Sequence, residues 1–65
     1  MLHYVIRNAY GNFYSHDNNH FFAGLNNATI FLHEATAIDW AQLARASYPD
    51  AGVKVSAFSV EFSDV

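Results

Sequence analysis

The chain has 65 residues, no cysteine, and nine charged side chains, three basic and six acidic, for a net charge of −3. Only 14% of its residues are charged, against 52% hydrophobic and 17% aromatic, whereas an ordinary globular domain is about 25% charged. Such a chain forms one domain, and the composition excludes disulfides, thiolate zinc sites and a polycationic surface for nucleic acid.

A domain this small buries only about 60% of the surface its unfolded chain exposes. Some of the eleven aromatic rings are therefore expected near the surface, covered by a second copy or by a partner protein.

Leu2 to Arg7, rich in β-branched and aromatic residues, reads as a strand. Asn8-Ala9-Tyr10-Gly11-Asn12 reads as a turn in which Gly11 supplies the positive φ of a three-residue hairpin loop. Phe13 to His16 is then the returning strand, with Arg7 opposite Phe13, Ile6 opposite Tyr14 and Tyr4 opposite His16. One face carries Leu2, Tyr4, Ile6 and Tyr14, and the other Val5 and Phe13. Neither is polar, although a hairpin covered on one side alternates more strictly.

Asp17-Asn18-Asn19-His20 reads as a polar turn and Phe21 to Leu25 as an apolar connector. After Asn26-Asn27, Ala28 to Leu32 reads as a short third strand with apolar residues on both faces. A helix is expected over Glu34 to Ser47, with Ala37, Ile38, Trp40, Ala41, Ala44 and Tyr48 in one stripe. Two starts are open: a capping-box-like Thr36-Ala37-Ile38-Asp39, or a first turn following Leu32 or His33. Pro49 ends the helix.

The last strand, Val53 to Phe62, switches its apolar phase near Ala57. Either a bulge around Ser56–Phe58 restores one apolar side, or the strand buries opposite faces at its two ends. The pattern predicts an α+β domain: a three- or four-stranded, mainly antiparallel sheet in ββ-β-α-β order, with the helix packed on one face. The expected core is Leu2, Tyr4, Ile6, Tyr14, Ile30, Leu32, Ile38, Ala41, Ala44, Val53, Val55 and Phe58, and the last strand is expected to run parallel to the third.

The N-terminal residues lack the pattern of a signal peptide, and no apolar run approaches the ~18 residues of a membrane span, so a cytoplasmic protein is expected. Ser15, His16 and Asp17 hold the residue types of a catalytic relay, but strand neighbours point to opposite faces. The glycines at 11, 24 and 52 stand alone and form no phosphate loop. No catalytic residue, metal ligand or cofactor is assigned, and the chain is read as a non-enzyme.

What remains is association. Val5, Phe13, Phe21, Phe22, Trp40 and Leu43 are the candidate interface residues. The expected function is a non-catalytic protein-interaction module that self-associates, a homodimer being the common case. Two alternatives belong to other classes. One is a nucleic-acid-binding accessory protein using sheet aromatics such as Phe13, Tyr14, Phe31 and Phe58, although such platforms come with basic residues. The other is a small metal-binding protein using His16 and His20.

The run Tyr4-Val5-Ile6-Arg7-Asn8, then Gly11, Phe13-Tyr14, Leu25, Ala28, Ile30-Phe31 and Glu34-Ala35 resembles small phage- and prophage-encoded proteins of unknown function from Gram-positive bacteria. In these a hairpin leads to a third strand and then at once to a helix. The chain departs from them in having few lysines and glutamates. The resemblance implies an accessory gene product that binds another protein, and no catalytic residues.

Overall fold

The computed structural model describes residues 2–59. The elements are β1 (Leu2–Arg7), β2 (Phe13–Ser15), β3 (His20–Phe22), a single 3-10 turn at Leu25–Asn27, α1 (Glu34–Ser47) and β4 (Lys54–Ser59). They form a four-stranded sheet in the order β3-β2-β1-β4, every neighbouring pair antiparallel. The helix packs across β1 and β4, giving the α+β architecture expected.

The first hairpin closes as its residues dictate. Asn8 donates its N–H to the Asn12 carbonyl at 3.1 Å, and its own Oδ1 accepts from the backbone of Tyr10 and Asn12, each at 3.0 Å. Gly11 takes φ +81°, a region that glycine enters without steric cost. Arg7 therefore faces Phe13. Past that pair the strands part, and the expected pairing of Tyr4 with His16 gives way to another. Tyr4 exchanges both backbone hydrogen bonds with Phe31, at 2.9 and 2.8 Å. Thr29 meanwhile donates to the Tyr14 carbonyl at 3.0 Å, and its hydroxyl accepts from the His16 N–H at 2.9 Å. The stretch 29–31 is thus wedged between β1 and β2.

This corrects the reading of the middle of the chain. Ala28 to Leu32 makes one isolated bridge and is not the third strand, which comes instead from the stretch read as turn and connector. Asn19 adopts φ +46°, which asparagine tolerates, so the chain reverses over 16–19 and pairs Ser15 with His20, Tyr14 with Phe21 and Phe13 with Phe22. The 29–31 stretch does run in the same direction as β4, but β3 runs opposite to it, so β4 is antiparallel to the true third strand.

The helix starts after His33, an extended residue whose carbonyl accepts from Ala37 at 3.2 Å; Thr36 is inside the helix and caps nothing. Ala37, Ala41 and Ala44 are fully buried, and their small side chains let the helix axis approach the sheet. At the far end the Tyr48 N–H donates to the Ala44 carbonyl at 2.8 Å before Pro49 stops the turn. Arg45 donates through Nε and Nη2 to the Val53 carbonyl, both at 3.2 Å, which ties the last helical turn to the entry of β4. Gly52, at φ +68°, lets the loop before β4 touch the first hairpin, where a Cβ would lie 2.9 Å from that of Ala9.

β4 pairs with β1 one-to-one from Arg7↔Lys54 to Leu2↔Ser59, so there is no bulge. Val55 and Ala57 lie on the helix side, and Lys54, Ser56 and Phe58 on the far side. Val60 and Phe62 lie outside the described residues.

Ile6, Tyr14, Phe21, Phe31, Ala37, Ala41, Ala44 and Val53 form the core, with Tyr4, Trp40, Tyr48, Ala51 and Val55 packed against it. Several expected members are absent. Leu2, Ile30, Leu32 and Ile38 are exposed, and Phe58 faces the other side of the sheet. Phe31 explains two of these: it takes the inward position of its segment, and alternation turns Ile30 and Leu32 outward.

Candidate interaction surface

Side chains alternate across a strand, and paired residues share a side. The ladder therefore divides the sheet into two surfaces. Ile6, Tyr14, Phe21 and Val55 face the helix, which leaves His3, Val5, Arg7, Phe13, Ser15, His20, Phe22, Lys54, Ser56 and Phe58 on the opposite side. The helix lies across the other side, and the 3-10 turn at Leu25–Asn27 packs against β2.

On the helix-free side the side chains pack against one another. Val5, paired with Ser56, is only 3% exposed. The Arg7 guanidinium lies over the Phe13 ring, 5.0 Å from its centre, in cation–π geometry. His3 and Phe58 approach to 5.8 Å between ring centres. Phe13, Phe22 and Phe58 are half-buried. Arg7 and Lys54, two of the three cations, are cross-strand neighbours here. The acids among the described residues are elsewhere: Asp17 in a turn, Glu34 and Asp39 on the helix, Asp50 in a loop. His3 Nδ1 and Arg7 Nε are buried without a hydrogen-bond partner among the described residues.

The residues proposed for the interface on sequence are dispersed. Val5, Phe13 and Phe22 lie on this side of the sheet. Phe21 turns inward and joins the core, 5.2 Å from the Tyr14 ring and edge-on to Tyr48 at 5.3 Å. Trp40 is half-buried on the helix, stacked on His16 with 4.7 Å between centres and 22° between planes. Leu43 is exposed on the helix. Phe58, expected in the core and left out of the interface residues, lies on this side, as the phase switch at Ala57 implies once there is no bulge.

His16 and His20, the two imidazoles of the metal alternative, flank the β2–β3 turn and take different ring partners. His16 stacks on Trp40 and contacts Asp17 Oδ1 through Nδ1 at 3.1 Å. His20 stands edge-on to Phe22 and 3.4 Å from the Tyr48 hydroxyl. Among the described residues no group of three or more histidine, aspartate or glutamate side chains is arranged to hold a metal ion.

Burial pushes the Tyr14 hydroxyl above the usual tyrosine value of 10.0, and the nearby Tyr48 adds to the rise. That hydroxyl donates to Asn19 Oδ1 at 2.6 Å, while the Tyr48 hydroxyl donates to the Asn19 carbonyl at 2.7 Å. Asn19 Nδ2 reaches Ser47 Oγ at 3.4 Å. The β2–β3 turn is thereby pinned to the C-terminal end of the helix.

Comparison with family models, with curated proteins and with solved structures finds no significant match to this chain. Among the described residues no helix is long and apolar enough to cross a membrane.

Proposed function

We propose that the chain is a non-catalytic protein-interaction module that self-associates and works through the helix-free side of its sheet. One observation supports this reading: Phe13, Phe22 and Phe58 stand half-buried on the side of the sheet opposite the helix. Aromatic rings that keep part of their area in water are the residues that contribute most when a protein partner removes that water. The reading includes a cytoplasmic location and, following the resemblance noted above, a role as a phage or prophage accessory product.

The test is solution mass, by sedimentation equilibrium or light scattering at micromolar concentration. A species of twice 7.3 kDa is expected; a monodisperse 7.3 kDa species refutes self-association.

A second reading is favoured by the placement of Arg7 beside Lys54 among the same phenylalanines. Rings flanked by cations stack the bases of single-stranded nucleic acid, at about 1–3 kcal/mol per base. Filter binding of single-stranded RNA and DNA at low salt decides this alternative, and no retention removes it.

A further inference from the structure

We infer that the side of the sheet opposite the helix takes an acidic segment of a partner protein, with a carboxylate held between Arg7 and Lys54 and a large apolar side chain on Phe13 and Phe22. The inference rests on the reading of this side as an interaction surface, not on self-association, and names what that surface binds.

Three pairings place four side chains in one line. Phe22 pairs with Phe13, Phe13 with Arg7, and Arg7 with Lys54, across the strand order β3-β2-β1-β4. Paired residues share a side, and adjacent strands are about 4.8 Å apart, so the row runs about 14 Å at right angles to the strands. Two rings stand at one end and two cations at the other, with their midpoints about 10 Å apart.

The cation end calls for an anion. Like charges directly opposite on neighbouring strands repel, and Arg7 and Lys54 are such a pair. Among the described residues neither joins an ion pair; Asp17, Glu34, Asp39 and Asp50 lie on the β2–β3 turn, the helix and the loop before β4. Arg7 Nε is buried and has no hydrogen-bond acceptor among those residues. The guanidinium is also held in place. It lies over the Phe13 ring at 5.0 Å, and its Nη2 sits beside Gly11, where a Cβ would be 3.4 Å away. A planar fork fixed in this way loses little freedom when it grips a carboxylate, and a carboxylate between two cations replaces their repulsion by attraction.

Other observations select the occupant. Among the described residues the surface encloses no pocket, so it offers a free small molecule no cavity, whereas a protein segment can lie along a flat row. The net charge of −3 repels a polyanion, and two cations neutralise only about two phosphates, too few for firm nucleic-acid binding. One carboxylate beside apolar matter suits both ends of the row. A polyproline-type segment presents the same side every three residues, about 9 Å, close to the ring-to-cation spacing. The row therefore fits a large apolar residue and a Glu three positions apart. It lies at one end of the sheet: Ser59, the last described residue, is five positions along β4 from Lys54, about 17 Å away.

Nuclear magnetic resonance of the nitrogen-15-labelled full chain tests this with the capped peptide acetyl-Gly-Phe-Ser-Ala-Glu-Gly-amide, whose one charge is the Glu carboxylate. Saturable shifts are expected at the amides of Phe13, Phe22, Arg7 and Lys54 and at the Arg7 Nε–H. Gln for Glu in the peptide, or R7Q or K54Q in the protein, should each weaken binding about fivefold with unchanged circular dichroism. R7K keeps the charge without the fork and should not restore wild-type binding. Lys54 is exposed, so K54Q decides the matter even if R7Q fails to fold. No saturable binding, equal binding of the Glu and Gln peptides, or shifts centred away from the row overturns the inference. So does tighter binding of a thymidylate hexamer than of the peptide at equal salt, which assigns the row to nucleic acid. A shifted Arg7 Nε–H in the peptide-free E61Q/D64N double variant also overturns it, by assigning the row to the chain's own carboxylates. A dimeric mass without peptide binding defeats the inference and leaves self-association standing. A 7.3 kDa monomer that binds the peptide along the row does the reverse.

Discussion

Replacing Tyr14 by phenylalanine tests whether one buried hydroxyl holds the second hairpin against the helix. The ring is only 2% exposed, so Tyr14→Phe keeps its packing and removes one oxygen. What is lost is the 2.6 Å hydrogen bond to Asn19 Oδ1, the residue at φ +46° that turns β2 into β3. A typical hydrogen bond contributes about 0.5–1.5 kcal/mol net, and a stranded buried partner adds to the loss. Asn19 is exposed, so water replaces the donor and the lower half of that range applies, about 0.5–1 kcal/mol at neutral pH. The same change carries a pH signature. The folded protein holds the Tyr14 proton more tightly than the unfolded chain, whose tyrosines titrate near 10.0. Stability from this group is therefore fully present below about pH 10 and lost as pH rises through the higher folded value. Urea unfolding at pH 7 and at pH 10.5 measures both effects: the variant should be less stable at pH 7 and should lose less on going to alkali. Equal stability at pH 7 together with an unchanged alkaline loss would refute the account of Tyr14.

Other outcomes follow from the packing. Ala41→Leu forces extra volume between helix and sheet at a fully buried position and should cost about 1–3 kcal/mol, whereas Ala46→Leu, exposed on the same helix, should be near neutral in urea titrations. Gly52→Ala meets both φ +68° and a 2.9 Å contact with Ala9, and thermal melts should show a loss of about 1–3 kcal/mol. Trp40→Ala should destabilise by about 2 kcal/mol, below the 3–5 of a fully buried tryptophan, by removing the stack on His16. It should leave the assembled mass unchanged, which separates a ring that braces the fold from one that anchors an interface.

The local rules read well where neighbours in sequence decide the outcome. The first hairpin and its Arg7–Phe13 closure were legible from Asn8, Gly11 and Asn12, because a tight turn is settled by its own residues. The helix and its end were legible from the alanine spacing and Pro49, since periodicity and a missing N–H act over one or two turns. Interior positions such as Ile6, Tyr14, Ala41 and Ala44 were legible for the same reason. The middle of the chain was not. His20-Phe21-Phe22 is three residues long and carries no alternation of its own, and its pairing depends on Asn19 taking a rare φ.

The amino-acid order by itself determined the inventory: one helix with a small-residue stripe, a hairpin, a long final strand, and more aromatic surface than one helix can hide. Only the tertiary structure decided which segment lies beside which. It wedged 29–31 between β1 and β2, placed β4 next to β1 without a bulge, and turned Phe21 inward and Phe58 outward. Strand order, and the side of a sheet that a residue joins, depend on contacts between segments far apart in the chain. A one-residue shift in such pairing reverses every side chain of the strand, and local propensity carries no term that registers it.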